Sequence, residues 1–277
     1  MNIICENIQK SFSGKTVLKS VSFSASGCVA VVGENGAGKT TLLKILATIL
    51  KPDKGLLRFD EIDVVRSPEK ARKLLSFCPE TPILIEELTP LENIKFFAKT
   101  KNVKVNALDI LEEYNVPNNL PVKKLSKGLK KRLSIAISTL SNPEILIMDE
   151  PADELDEFSR TKLYEILSRF KNQGKTVIFT SHRYDDILLA DYLVCLKDGT
   201  VVFQEEMSTL FASNMYVITL EAETEKHLSN LPFLSRFDNK INILVDGANL
   251  AEILGKMKII SIRKPFAYEL LSLKNKK

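Results

Sequence analysis

Two histidines and four scattered cysteines are nearly all the soft metal-ligating chemistry in these 277 residues. Cys5, Cys28, Cys78 and Cys195 form no C-x-x-C pair, so neither a zinc cluster nor a disulfide framework is expected. The thiols read as small buried hydrophobes in a reducing compartment. No apolar run approaches the roughly eighteen residues that cross a bilayer, and the polar start MNIICENIQK lacks a signal-peptide pattern. The expected location is therefore the cytosol. Internal repeats and low-complexity tracts are missing, and the net charge of +4 is mild. Its basic runs, at Lys123-Lys124, Lys127 to Arg132 and the last four residues, read as solvated faces, so no nucleic-acid partner is expected. There is no N-K-x-D guanine-reading motif either, which sets a GTPase aside.

What is present supports an ample core: 44% of residues are hydrophobic, with a mean hydropathy near zero. The length allows one large domain and a small one. The chain is organised around residues 29–50, VAVVGENGAGKTTLLKILATIL. Val29, Ala30, Val31 and Val32 suit a buried parallel strand, while Leu42, Leu43, Ile45, Leu46, Ile49 and Leu50 recur at helical spacing until Pro52. Between them lies Gly33-Glu34-Asn35-Gly36-Ala37-Gly38-Lys39-Thr40, the G-x-x-x-x-G-K-[ST] phosphate loop. Its glycines let successive N–H groups face inward, and the helix start adds about half a positive charge. A polyphosphate is the natural guest: Lys39 reaches the β- and γ-phosphates, Thr40 offers its hydroxyl to Mg²⁺ and Thr41 bonds the α-phosphate.

Ahead of the loop, residues 2–23 alternate around a Ser13-Gly14-Lys15 turn, predicting two or three antiparallel strands. Phe12 ends the first. It either packs in the sheet or stacks on a purine base, and spacing leaves both open. Strands are predicted at 55–60 and 62–65, and another near 73–79 that closes on Pro79-Glu80-Thr81-Pro82. Thr89, Pro90 and Glu92 have capping-box spacing, and residues 90–116 look helical in pieces, broken at 101–104 and stopped by Pro117. Ser126 with Gly128 then starts a helix, as an ordinary N-cap or a second anion site.

The run Ile145-Leu146-Ile147-Met148 is a buried strand that delivers Asp149 and Glu150 at its carboxyl end, where open α/β sheets place ligands. Asp149 suits the Mg²⁺ shell and Glu150 the orientation or deprotonation of an attacking water. Asp156 caps the next helix, and residues 176–180 form a strand ending in Ser181-His182, which brings His182 towards a γ-phosphate. An Asp198-Gly199 hairpin follows. Beyond it, strands are predicted at 216–220, 241–245 and 259–262, with helices at 225–231, 250–257 and 266–273. His227 reads as surface.

Taken in order, the loop at 33–41, Leu125-Ser126-Lys127-Gly128, Asp149-Glu150-Pro151 and Ser181-His182 resemble the ATP-binding cassette family, the nucleotide-binding subunits of ABC transporters. The resemblance covers about residues 1–205; the LSKG signature and the tail look most like single-cassette drug, peptide and bacteriocin exporter subunits. It implies an α/β fold: a P-loop NTPase core with an antiparallel β lobe and a helical lobe (about 85–142), and a small α+β accessory domain at 206–277. It implies ATP and Mg²⁺ as ligands, and two cassettes, identical or different, closing head-to-tail over two ATP molecules. By the same match Phe12 stacks on adenine, Ser126 and Gly128 touch the γ-phosphate in trans, Glu150 is the catalytic base, and His182 senses the γ-phosphate. The implied partner is an integral membrane permease, with the cassette peripheral on the inner face of the cell membrane.

Two positions depart from the family pattern. Glu80 stands where glutamine usually senses the metal; a carboxylate faces the metal shell but donates no hydrogen bond. Asp153-Glu154 replaces a small pair near the expected dimer interface, which suggests pairing with a different cassette. The leading function is an ATP-hydrolysing motor for export through a separate permease. The alternative is a soluble ABC-type ATPase acting on ribosomes or nucleic acid, and a third reading is a regulatory subunit that scarcely hydrolyses ATP.

Overall fold

The computed structural model describes residues 1–212, 215–221, 233–237, 240–246 and 259–263. The chain divides into two compact units, Met1–Gln204 and Glu205–Lys277.

In the first unit, β1 (Ile3–Phe12) and β2 (Lys15–Ala25) form an antiparallel hairpin. Its turn has Ser13 at φ 47° and Gly14 at φ 82°, the left-handed pair that suits strand twist. β3 (Cys28–Gly33) leads through the glycine-rich loop to α1 (Lys39–Leu46). β4 (Lys54–Phe59) pairs antiparallel with β1, and β5 (Ile62–Asp63) lies beyond it. After the short α2 (Pro68–Arg72) and β6 (Leu75–Cys78) come α3 (Pro90–Thr100), α4 (Ala107–Glu113) and α5 (Lys127–Thr139). β7 (Ile145–Met148), α6 (Glu157–Asn172), β8 (Thr176–Thr180), α7 (Tyr184–Ile187), β9 (Tyr192–Lys197) and β10 (Thr200–Glu206) complete the order.

The sheet runs β5-β4-β1-β2-β10-β9-β3-β8-β7-β6. One half is antiparallel; in the other, β9, β3, β8, β7 and β6 are parallel. β7 and β8 are buried along their whole length, as apolar runs covered on both faces should be. Leu42, Leu43, Ile45 and Leu46 of α1 share one core with Val29, Val31, Ile145, Ile147 and Ile178. This is the expected α/β core with an antiparallel lobe and a helical lobe.

The helical lobe follows the predicted break. Thr89 accepts from the Glu92 N–H and Glu92 accepts from the Thr89 N–H, a complete capping box, and Asn102 at φ 54° ends the first piece. Asn93, fully buried, accepts from the Ile85 N–H and donates to the carbonyls of Ile85 and Thr89, fastening the preceding loop to α3.

Two elements are shorter than predicted. The periodic run to Leu50 stays helical only to Leu46, because Thr48 turns left-handed at φ 59° and the N–H groups of Ile49 and Leu50 both bond the Lys44 carbonyl. The strand predicted at 62–65 stops at Asp63, whose carboxylate accepts from the N–H groups of Val65 and Arg66 and makes a turn.

The second unit has α8 (Met207–Ala212) and an antiparallel sheet of β11 (Met215–Glu221), β12 (Phe233–Phe237), β13 (Lys240–Asp246) and β14 (Ile259–Arg263) in the order β12-β13-β11-β14. β12 was not expected, since FLSRF does not alternate. The helices predicted at 225–231, 250–257 and 266–273, and His227, lie outside the described residues.

The β9–β10 turn gives a test. Asp198 and Gly199 have φ 48° and 77°, and a Cβ on Gly199 would meet the Val17 carbonyl oxygen at 2.3 Å. Gly174 is also left-handed, at φ 70°, but its Cβ would face open space. Gly199→Ala is expected to cost about 2–4 kcal/mol and Gly174→Ala about 1 kcal/mol. Urea titrations of the two variants measure the difference; equal losses would refute the close contact.

Candidate functional site

The loop between β3 and α1 closes on itself. The Ala37 N–H donates to the Glu34 carbonyl, and Gly36 and Gly38 take φ 83° and 102°. A Cβ on Gly38 would lie 2.6 Å from Leu18 Cδ2, so hairpin and loop approach where only glycine fits. Gly38 caps α1 with no side chain, and the first turn of α1 contains no acid, leaving its N-terminal field uncompensated. Lys39 is buried, and its Nζ donates to the Gly33 carbonyl at 2.8 Å and the Glu34 carbonyl at 3.4 Å.

An open cleft of about 750 Å³ lies over this loop, a size typical of small-molecule sites. Asn35, Gly36, Gly38, Lys39, Thr40 and Thr41 line it from one side, and Glu80, Glu150 and His182 face them. Lys15, Thr16 and Asp153 also line it, and motif reading had given none of them a role at this site. Gly33 and Ala37 serve through the backbone bonds just described.

Asp149 lies beneath the cleft at 1% exposure. Thr180, ending β8, donates its hydroxyl to Asp149 Oδ1 at 2.7 Å and accepts the Glu150 N–H at 2.7 Å. That bond holds Glu150 in a left-handed backbone at φ 43°. The spacing of motifs carries no hint of Thr180; a hydroxyl following the apolar run Val177-Ile178-Phe179 was the available signal.

His182 Nε2 sits 3.0 Å from Glu150 Oε1 and 3.2 Å from Lys39 Nζ. Burial, then the Lys39 ammonium, lowers the imidazole below its ordinary pKa. Burial, then the charge of Asp153, raises the Glu150 carboxyl to about 7, against the opposing pull of Lys39. Burial also lowers Lys39, while Glu150, Asp149 and Glu80 counter it. Burial and the Lys39 charge both favour the neutral imidazole, whose Nε2 meets the Glu150 carboxyl and the Lys39 ammonium at once.

Besides Gly33, Ala37 and Asp149, three more sequence-chosen residues lie outside the cleft lining. Phe12 is 43% exposed, with Lys10 Nζ 5.5 Å from its ring centroid. Ser126 caps α5 by accepting from the Leu129 N–H at 3.3 Å. A Cβ on Gly128 would meet the Glu154 carbonyl oxygen at 2.9 Å. Within one chain, Ser126 and Gly128 are not brought to the phosphate loop.

The oxygen donors Thr40, Asp149 and Glu80 fit Mg²⁺, which prefers hard oxygen ligands and keeps waters and phosphates in its shell. Among the described residues no group of three or more His, Cys, Asp or Glu forms a cation cage. A nucleotide's phosphates would therefore have to supply part of the shell.

Two predictions follow from this geometry. Thr180→Val leaves the Glu150 N–H and one Asp149 oxygen without their partner and should cost about 2 kcal/mol in a urea titration; an unchanged midpoint would count against the Thr180 bridge. For Glu150, a pKa raised above its unfolded value favours folding below about pH 4.5, and that contribution is lost as pH rises towards 7. The melting temperature of the metal-free protein should therefore fall relative to Glu150→Gln between pH 5 and pH 8. A constant difference across that range would show that Glu150 is not so shifted.

The ABC transporter family description matches residues 18–153. The chain is 33% identical over 207 residues to the lantibiotic transport ATP-binding protein SrtF of Streptococcus pyogenes, a match that covers 73% of this chain and 89% of that protein. It is 30% identical over 251 residues to ABC transporter A family member 8 of Arabidopsis thaliana, covering 83% of this chain and 28% of the relative. Thus it spans about a quarter of the length of such plant relatives. Its fold is similar to the dimeric structure of MJ0796, a bacterial ABC transporter cassette, with TM-score 0.68 and 27% identity over 74% of this chain and 98% of that one. With the phosphate loop, the strand-end acids and the histidine gathered at one cleft, the chain belongs to the ABC transporter family.

Proposed function

We propose that this chain binds and hydrolyses ATP to drive the export of a drug, peptide or similar compound through a separate multi-span permease. The observation that carries the hydrolytic reading is the meeting of Lys39, Glu150 and His182 around one histidine nitrogen, at the edge of the phosphate loop. No helix among the described residues is long and apolar enough to cross a membrane. The likeness to the lantibiotic transport ATP-binding protein SrtF supports the transport reading, and the dimeric MJ0796 cassette supports pairing with a second cassette. We assign residues 1–205 to the cassette, 206–277 to an accessory domain, and the site of work to the inner membrane face.

On ATP binding, Lys39 leaves the Gly33 and Glu34 carbonyls for the β- and γ-phosphates, and the N–H groups of the loop and α1 receive the remaining phosphate charge. Phe12 stacks on the adenine, and Thr41 meets the α-phosphate. Bound Mg²⁺, held by Thr40 and Asp149 with Glu80 facing it, would neutralise charge between the phosphates. Once Lys39 has moved, His182 is free to donate to the γ-phosphate and Glu150 is released to take a proton from the attacking water. A carboxyl raised towards neutrality suits that exchange. Ser126 and Gly128 would act on the nucleotide of the second cassette.

Replacing Glu150 by Gln should lower turnover by about 10²-fold or more while ATP binding persists; retained turnover would remove Glu150 as the base. The same variant, held with ATP and Mg²⁺ in gently solubilised native membranes, should recover a multi-span membrane protein. Recovery of ribosomes or nucleic acid without one would favour the soluble ATPase instead.

A further inference from the structure

The β6–β7 ladder ends where the Asp149 N–H donates to the Cys78 carbonyl at 2.8 Å. Past that bond both chains leave the sheet, one as Pro79-Glu80-Thr81-Pro82 and the other towards Glu150. The first of these loops has two prolines and so has few N–H donors with which to order itself. The carbonyls just beyond the ladder converge on one cation instead. Lys131 of α5, at 1% exposure, places its Nζ 2.9 Å from the Glu80 oxygen, 3.3 Å from the Asp149 oxygen and 3.4 Å from the Pro79 oxygen. An ammonium has three donors, and here three carbonyl dipoles meet them.

A buried lysine is expensive unless its environment solvates it, and surface solubility cannot be its purpose here. Its location defines what it does. The two backbones that it joins are those of Glu80 and Asp149, whose side chains are the acids assigned to the metal shell. The helix that it comes from is capped by Ser126. We propose that Lys131 is a positioning residue that sets the distance between the Glu80 and Asp149 backbones, and so the metal affinity of the nucleotide-filled cleft. The inference rests on the proposed Mg²⁺–ATP reading of that cleft. Thr180 fixes the Asp149 carboxylate, and Lys131 fixes the same residue from its carbonyl.

The test uses the full chain carrying Glu150→Gln, the variant expected to hold nucleotide while turning over slowly. ATP affinity is measured with a fluorescent ATP analogue in EDTA and again across a Mn²⁺ titration, with bound Mn²⁺ read independently by electron paramagnetic resonance. Adding Lys131→Met should leave the EDTA affinity unchanged, since the phosphate loop is untouched, and weaken Mn²⁺ binding about tenfold, the usual scale for a residue that orients metal ligands. Lys131→Gln retains two donors and should lose less. If the Met variant does not fold, the Gln variant decides: weakened Mn²⁺ binding supports the proposal, and wild-type Mn²⁺ binding overturns it. Equal losses with and without metal would show a merely structural lysine and would also overturn it. Failure of the Glu150→Gln protein itself to bind ATP would be a different result, overturning the proposed function and this inference with it.

Discussion

Register between parallel strands decides where the chemistry falls. Val31 lies opposite Thr180, and Phe179 lies opposite Met148, so β3, β8 and β7 reach their carboxyl ends side by side. The next residues along the chain are then the phosphate loop, Ser181-His182 and Asp149-Glu150. Shifting β8 by one residue would turn Thr180 to the opposite face of the sheet and break its link with both acids. The ladder, more than any side-chain contact, gathers groups that are separated by more than a hundred residues in sequence. It is held by strands with almost no exposed surface, which leaves little freedom for alternative pairing.

Within that frame the charged groups of the cleft answer one another. Lys39 is satisfied by two carbonyls of its own loop, and burial, with the Lys39 charge second, lowers the His182 imidazole below its ordinary pKa. Glu150 is held near neutrality by burial and by Asp153. Under the proposed function, a nucleotide would exchange one set of interactions for another rather than fill a set of bare charges. The left-handed backbone at Glu150 belongs to the same balance, because the Thr180 hydroxyl holds the strained turn from the neighbouring strand.

Much of this was legible because it is written locally. Glycine at the loop, threonine and glutamate three apart at α3, aspartate before α6 and Asp-Gly between β9 and β10 each act through their own backbone, so sequence neighbours suffice to read them. Thr180 and Lys131 act on residues remote in sequence, and no spacing rule reports them; Asp153 is near Glu150 in sequence, but its effect depends on the fold that buries that carboxyl. The helix end after Leu46 was missed for a related reason: apolar periodicity continues through Ile49 and Leu50, but Ile49 is 56% exposed and the turn is decided by Thr48 and the Lys44 carbonyl. Ser126 was correctly legible as a cap, whereas any meeting with ATP would require a second chain.

The acidic pair after Glu150 illustrates how tertiary contacts revise a charge argument. Read along the sequence, Asp153 and Glu154 are equivalent additions that would repel a partner. In the structure they differ. Glu154 pairs with Lys127 at 3.2 Å beside the cap of α5, and its carbonyl lies against Gly128, so this acid is engaged within its own chain. Exposed ion pairs contribute at most about 1 kcal/mol, but the pairing still removes most of a local charge imbalance. Asp153 lines the cleft and acts on Glu150 instead. The departure from the family pattern thus separates into a local tie at the signature helix and a charge that bears on the candidate base. Only the second is positioned to affect hydrolysis directly.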